Sequence, residues 1–406
     1  MRILFVAPYV PSRVRARSYE FVRALTGLGH RVHVVALRPP EDRWADDAPV
    51  REACERMDVF PLSRVRTLAN AGLALAGPGP LQEAYSRHPA ARAHVARLAA
   101  SRLYDIAHVE HLRGATLLRG VAGLPVVFDA VDSISYLFEQ AARLAVRRLQ
   151  RVLARLELAR TARFERQAPH RFARTVVTSP VDRDAIIRLA GPDAAHRVAV
   201  VPSIVDGSYF TPGRSAAGQA TVLFTGKMSY HANEAAAQHL VLRVMPEVWR
   251  SRPDARVIVA GKDPSPRILA LADDPRVQVT GYVADLRPLF ARATVAVSPL
   301  LYGAGLQFKI LEAMASGVPV VTSLKACASL TARPEHELLA GETPEEIASQ
   351  ALRVLRDRKL AGRLGEAGRE YVVREHNATV IGRRLTEIYG AAREDSVPRP
   401  VRRASR

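Results

Sequence analysis

The chain has 406 residues, 48% of them hydrophobic, with a formal net charge of +19 and a pI near 10.7. That length can bury two ordinary cores, so two domains of roughly 200 residues are expected, and the absence of any run of about 18 apolar residues excludes a spanning helix. Of 59 basic residues only five are lysine and the arginines are spread along the whole chain; such a surface attracts anionic lipid and diphosphate ligands, while no aromatic-interleaved basic motif points to specific nucleic-acid binding.

The opening MRILFVAPYV has a short apolar core, no Ala-x-Ala-like cleavage site, and arginines following at Arg13, Arg15 and Arg17. Ile3 to Ala7 therefore reads as a first β-strand and not as a signal peptide. Ser18 to Leu28 reads as a helix ended by Gly29, and Arg31 to Leu37 as the next strand, the opening of a doubly wound domain. The loop between them, Pro11 to Arg17, has no glycine. It reads either as a solvated basic loop or as a cationic lip for phosphate or an anionic acceptor. Residues 41 to 101 read as loops and amphipathic helices with a short strand at Val59 to Leu62, and carry nothing catalytic. Two distant cysteines, Cys54 and Cys327, show no metal spacing and suit a reduced, cytoplasmic protein.

Tyr104 to Val109 is predicted as a strand followed at once by Glu110, His111 and Arg113, and the carboxyl ends of parallel strands are where such sheets bind ligands. For any one histidine, hydrogen-bonded packing is the plainer reading. Leu124 to Asp129 forms another strand. Asp129 and Asp132 beyond it read as a helix N-cap or as holders of an acceptor hydroxyl, with no further ligands spaced for a metal. One long helix is predicted from about Ile134 to Ala168, rich in arginine among leucine and valine. Its basic stripe reads as a solvated face or as a membrane-surface contact. Thr175 to Ser179 and Val198 to Val201 complete the first sheet.

The second domain is predicted to open with a strand, Thr221 to Thr225, whose end delivers Gly226 and Lys227, a close backbone and a compact cation suited to phosphate. A helix follows from Glu234. Further on comes a strand at Val295 to Val297, a turn with Gly303 and Gly305, a helix from Leu306 to Ser316, and a strand at Val318 to Thr322. On that helix Lys309, Glu312 and Ser316 share one narrow polar stripe. The stripe reads as an i,i+3 ion pair, or, with the glycines admitting a close approach and the helix N-terminus offering free N–H groups, as part of an anion site. Helices from Thr343, Leu360 and Ala378 end the fold, and residues 393–406 read as a disordered tail.

Leu311, Glu312, Ala313, Met314, Ala315, Gly317, Pro319, Val320 and Val321 stand in the order LEAMA-x-G-x-PVV, which resembles the nucleotide-sugar signature of glycosyltransferase family 4. Phe224-Thr225-Gly226, Met228, Tyr230, Asn233, Gly261, Pro264, Val279-Thr280-Gly281, Val283, Asp285 and Arg287 resemble a narrower branch, sugar transferases of bacterial exopolysaccharide synthesis. The resemblance implies an α/β fold of the GT-B type, two Rossmann-like doubly wound domains facing a cleft. The expected boundaries are 1–202 and 203–376, with a helix at 377–392 crossing back. It implies a retaining transferase that moves a sugar from a nucleotide-diphosphate sugar to a saccharide or lipid-linked acceptor, without metal or cofactor, in the cytoplasm or at the inner face of the membrane. By the same resemblance Glu312 holds the donor ribose, and Gly226 with the loop Gly303, Ala304, Gly305 and Leu306 surrounds the diphosphate. Tyr282 lies beside the base, and Lys227 and Lys309 carry the charge. From the first domain His111 or Glu110 meets the sugar, the register among His108, Glu110 and His111 being open. The chain departs from the family at three places: Ala304 replaces a glutamate, Ala232 a lysine, and the loop near Arg13 lacks its glycine pair. Those departures leave a second reading, an inactive sugar-nucleotide-binding partner of a transferase or membrane complex.

Overall fold

The computed structural model describes residues 1–13, 15–40, 46–75, 77, 79–144, 148–213, 220–303 and 305–396. Ala304 and the end of the tail, from residue 397, lie outside the described residues. The chain forms two compact units, Met1–Ile204 with the helix Ala378–Glu394, and Val205–Asn377.

The first unit is built on seven parallel strands: β1 Arg2–Ala7, β2 Arg31–Arg38, β3 Arg56–Pro61, β4 Ile106–Glu110, β5 Val126–Val131, β6 Arg174–Val177 and β7 Val198–Val200, in the order β3-β2-β1-β4-β5-β6-β7. Ile3 to Ala7 are fully buried because helices cover both faces, which is why β1 reads as an unbroken apolar run. One face packs Phe5, Val32 and Val34 against Phe21, Leu25, Leu385 and Tyr389; the other packs Leu4, Val35 and Val109 against Val95, Phe172 and Ile186.

The second unit repeats the plan with six parallel strands: β8 Thr221–Thr225, β9 Arg256–Ala260, β10 Val277–Gly281, β11 Val295–Ser298, β12 Val320–Ser323 and β13 Leu339–Gly341, in the order β10-β9-β8-β11-β12-β13. Thr343 closes the expected capping box with Glu346. These are the two α/β Rossmann-like sheets that the patterning predicts.

Two local expectations fail. The long arginine-rich helix is two helices, Ile134–Leu144 and Arg148–Arg171. Glu165 accepts hydrogen bonds from Ser133 and Ser135, so the second helix runs back along the first. Helical periodicity is the same on both arms of such a hairpin, and the reversal is invisible in it. The helix after β8 begins at His231, three residues ahead of Glu234, because the amides of Asn233 and Glu234 already bond to the Tyr230 carbonyl.

The tightest backbone approach in the second unit is at the ends of β8 and β9. A Cβ on Gly261 would sit 1.7 Å from the Gly226 carbonyl oxygen, so neither rotamer choice nor side-chain movement can make room. Gly261→Ala is expected to lower unfolding stability by about 1–3 kcal/mol or more. Gly362→Ala, in an open stretch of the helix Arg358–Glu375, is expected to raise it by up to about 1 kcal/mol. Urea denaturation of the two variants checks the contrast.

Candidate active site

In a parallel sheet of this order, neighbouring loops leave in opposite directions where the strand order reverses, and a crevice opens at the carboxyl ends of the two strands there. The reversal lies between β8 and β11 in the second unit and between β1 and β4 in the first. The sequence-predicted residues fall at both places.

In the second unit β8 runs into Gly226 and Lys227. The Gly226 amide bonds to the Ala260 carbonyl, the Gly261 amide to the Gly281 carbonyl, and the Met228 amide to the Lys262 carbonyl, which binds the three strand ends together. Asn233 donates from Nδ2 to the Lys227 carbonyl at 3.0 Å, holding the turn while the Lys227 side chain stays exposed. A Cβ on Gly226 would meet Lys309 Cε at 3.2 Å and Asn233 Nδ2 at 2.8 Å. The stem of Lys309 therefore crosses directly over the bare backbone of Gly226.

Lys309 belongs to the helix Phe308–Ala315, which follows β11 and the loop carrying Gly303 and Gly305; Gly305 is buried with φ of 72°, a conformation that favours glycine. The ammonium of Lys309 donates to Gln307 Oε1 at 3.0 Å, and not to Glu312 as a simple ion pair would require. Burial lowers the Lys309 pKa to about 8, and burial likewise raises that of Glu312 to about 7, each partly offset by the other's charge. No described side chain hydrogen-bonds to the Glu312 carboxylate. Leu306 is half-buried, and Tyr282 stands exposed just beyond β10. A contact that the sequence did not suggest ties the two loops: Tyr302 stacks on His231 at 5.3 Å and 14°, with its hydroxyl 2.9 Å from His231 Nδ1.

In the first unit the three polar residues at the end of β4 have different surroundings. His108 is fully buried, stacked on Phe5 at 4.5 Å and hydrogen-bonded through Nδ1 to the Tyr389 hydroxyl at 2.8 Å. Glu110 ends the strand with one carboxylate oxygen buried and unpartnered; burial and then Asp129 push its pKa up to about 7. His111 follows at φ 61°, and its Nδ1 accepts from the Arg113 amide at 3.2 Å. That bond leaves the proton on Nε2, and burial with the Arg113 charge holds the pKa down at about 3, so the imidazole is neutral.

Arg17 corrects one expectation. It is no part of a cationic lip: it is 5% exposed, forms a two-point pair with Asp129 at 2.8 and 3.0 Å, and donates to Ser203 Oγ and the Val201 carbonyl. Asp129 is likewise neither an N-cap nor open to an acceptor; although burial opposes it, Arg17 holds its pKa at about 2. Asp132 takes a hydrogen bond from Thr178 at 2.9 Å, and burial with Asp182 nearby pushes its pKa up. Ser203, three residues past β7, is thus where the buried arginine finds its third partner.

Residues 219–357 match the family model of glycosyl transferases group 1. The match covers the whole ligand edge of the second unit and none of the first. A GDP-mannose-dependent monoacylated alpha-(1-6)-phosphatidylinositol monomannoside mannosyltransferase of Corynebacterium glutamicum is 29% identical over 163 residues, 37% of this chain and 43% of that protein. The chain thus aligns with less than half of that relative's length. Among solved structures, Anabaena HepE in complex with UDP and glucose superposes with a TM-score of 0.67 at 16% identity, over 96% of this chain and 99% of that one. Sucrose-phosphate synthase of Thermosynechococcus elongatus superposes with a TM-score of 0.70 at 18% identity, over 96% and 98%. At these identities the likeness is one of fold, two Rossmann-like α/β units of the GT-B class.

Two pH effects of opposite sign follow from the first unit. Asp129 ionises at about 2 in the fold against an ordinary 3.8, so the stability of its pair is full above about pH 4 and is lost as the pH falls towards 2. Glu110 binds its proton up to about 7 against an ordinary 4.5, so the fold loses stability as the pH rises between those values. Urea unfolding of Glu110→Gln is expected to show a flatter profile between pH 5 and 7 than the parent. Arg17→Met is expected to cost about 3–5 kcal/mol at pH 7, because it leaves Asp129 buried and unpaired.

Proposed function

We propose that this chain is a glycosyltransferase that takes a sugar from a nucleotide-diphosphate sugar and places it on a hydroxyl acceptor, with retention at the anomeric carbon. One contact carries the reading. The stem of Lys309 lies on Gly226, so the helix cation and the Gly226–Lys227 turn converge at the strand-order reversal of the matched segment.

The hard step in such a transfer is the departure of a diphosphate, and fixed cations with unpaired backbone N–H groups are what lower its barrier. Lys227 is exposed and free to reach one phosphate; Lys309 is half-buried and fixed by Gln307, and the first turn of its helix supplies N–H groups. Ala232, where the family resemblance expects a lysine, is 1% exposed and brings no charge to the site. Lys309 takes over that charge. A phosphate beside Lys309 raises its pKa, and the unpaired carboxylate of Glu312 is suited to accept from the two ribose hydroxyls. Tyr282 offers an exposed ring to the base. On the first unit, neutral His111 offers an Nε2–H to a sugar hydroxyl, and Glu110 is poised between its two protonation states near pH 7. The leaving phosphate can itself take the acceptor's proton, and the scheme calls on no metal or cofactor.

The relative named for a phosphatidylinositol monomannoside supports a lipid-linked saccharide, among saccharide and lipid-linked acceptors, and the resemblance carried by Phe224 to Arg287 supports cell-surface or exopolysaccharide synthesis. No described helix is long and apolar enough to cross a membrane. Peripheral contact with anionic lipid at the inner face of the membrane is supported by the helix Arg148–Arg171. It exposes Val152 and Leu156 to 53% each, one turn apart, beside exposed Arg155.

A thermal-shift screen of UDP-, GDP- and dTDP-sugars identifies the donor. With that donor, Lys227→Ala is expected to lower kcat/KM about 10²–10³-fold, and Glu312→Gln to raise the donor KM about 10–100-fold. Unchanged kinetics in both variants would overturn the site. Tight donor binding with no turnover on any saccharide or lipid-linked acceptor would favour the inactive binding partner instead.

A further inference from the structure

The first unit carries a second group of convergent polar side chains, away from the ligand edge. His33 on β2, Asp58 on β3 and His94 on the helix Pro89–Ala100 each present one nitrogen or oxygen, and the three atoms lie within 4.8 Å of one another. His33 and Asp58 are both third in their strands, towards the amino ends, whereas Glu110 ends β4 at its carboxyl end and His111 follows it. Register places them on one face: Val35 pairs with Asp58, and His33 stands two residues before Val35. The helix packs on that same face through Ala91 and Val95, which brings His94 over the two strands.

We propose that His33 Nε2, His94 Nε2 and a carboxylate oxygen of Asp58 form a structural site for Zn²⁺, with a fourth position open to water.

Both ring nitrogens point at one oxygen, Asp58 Oδ2, at 2.9 and 2.7 Å. Without a metal each imidazole must spend its Nε2 proton on the same atom; with Zn²⁺ both present lone pairs, and modest outward shifts give the spacing of a tetrahedral set with about 2.0–2.1 Å bonds. Two imidazoles and one carboxylate are a donor set that suits this ion. The surroundings fit the bound state. A metal-ligating histidine donates its other ring N–H to an oxygen, and His33 Nδ1 lies 2.5 Å from the Tyr104 hydroxyl. The ring of Phe60 packs at 5.4 Å from that of His94 and walls one side. Asp58 and His94 keep side-chain exposures of 20% and 17%, which gives the ion a way in. Arg56, paired to Asp58 Oδ1 at 3.1 Å, is 61% exposed and can turn away into solvent. A bound ion would join β2, β3 and the helix, which come from stretches 25 and 36 residues apart.

The test uses the untagged full chain, stripped with chelator and titrated with ZnCl₂ by calorimetry, with CoCl₂ as an optical probe. One equivalent is expected, with a raised thermal midpoint and the visible absorption of tetrahedral Co²⁺. His94→Ala and Asp58→Asn are each expected to weaken binding more than tenfold, and Tyr104→Phe about tenfold. His336→Ala, an exposed histidine outside the group, is expected to leave it unchanged. No stoichiometric binding to the parent chain, or equal affinity in His94→Ala and Asp58→Asn, would overturn the proposal. His94 is the variant that decides if His33→Ala fails to fold, since its side chain lies at the margin of the core.

Discussion

A parallel strand cannot be joined to its neighbour by a tight turn, and every connection must cross a face of the sheet before the next strand begins. That constraint governs both units. It covers each sheet with helices, buries the strands on two sides, and sends half of all loops to one edge. Where the strand order reverses, two loops diverge at that edge and leave a crevice. Lys227 stands two residues beyond β8, Lys309 comes to the same turn on the helix that follows β11, and Glu110 ends β4 in the other unit, each beside such a reversal.

The crevice of the second unit is shaped by what is missing from Gly226 and Gly261. Without side chains their backbones touch, and the released space admits the stem of Lys309. A cation held there loses solvent, which is why its pKa falls and that of neighbouring Glu312 rises. A dianionic diphosphate against the lysine and hydroxyl donors against the carboxylate would relieve both groups, which is what the proposed use of a nucleotide sugar asks of this site.

The first unit holds its ligand edge differently. Arg17 and Asp129 form a dry two-point pair beneath the strand ends, joined by His108 at 3.6 Å and, through it, by Tyr389 from the final helix. All of these side chains are buried, Arg17 keeping 5% exposure. They position Glu110 and His111 by filling the layer underneath, and they fasten the returning helix to the sheet on which it rests.

The alternation of apolar runs, helical stripes and glycine ends made both α/β sheets legible in the sequence, because burial on two faces writes itself directly into residue type. Gly226 and Lys227 were legible too, since residues at a strand end travel with it, and Lys309 and Glu312 were legible from the polar stripe of one short helix behind a glycine turn. The hairpin of the helices Ile134–Leu144 and Arg148–Arg171 was not, for periodicity is blind to direction. Nor was the role of Arg17, which read as one more surface arginine among many until Asp129, 112 positions away, was found against it. The same distance in sequence hid His33, Asp58 and His94 from any spacing rule. Local chemistry, then, was settled by the chain alone. Which charges are buried, and which of them face one another, was decided only when the crossovers brought distant strands side by side, because the energy of a charge depends on its neighbours in space and on the water it has lost.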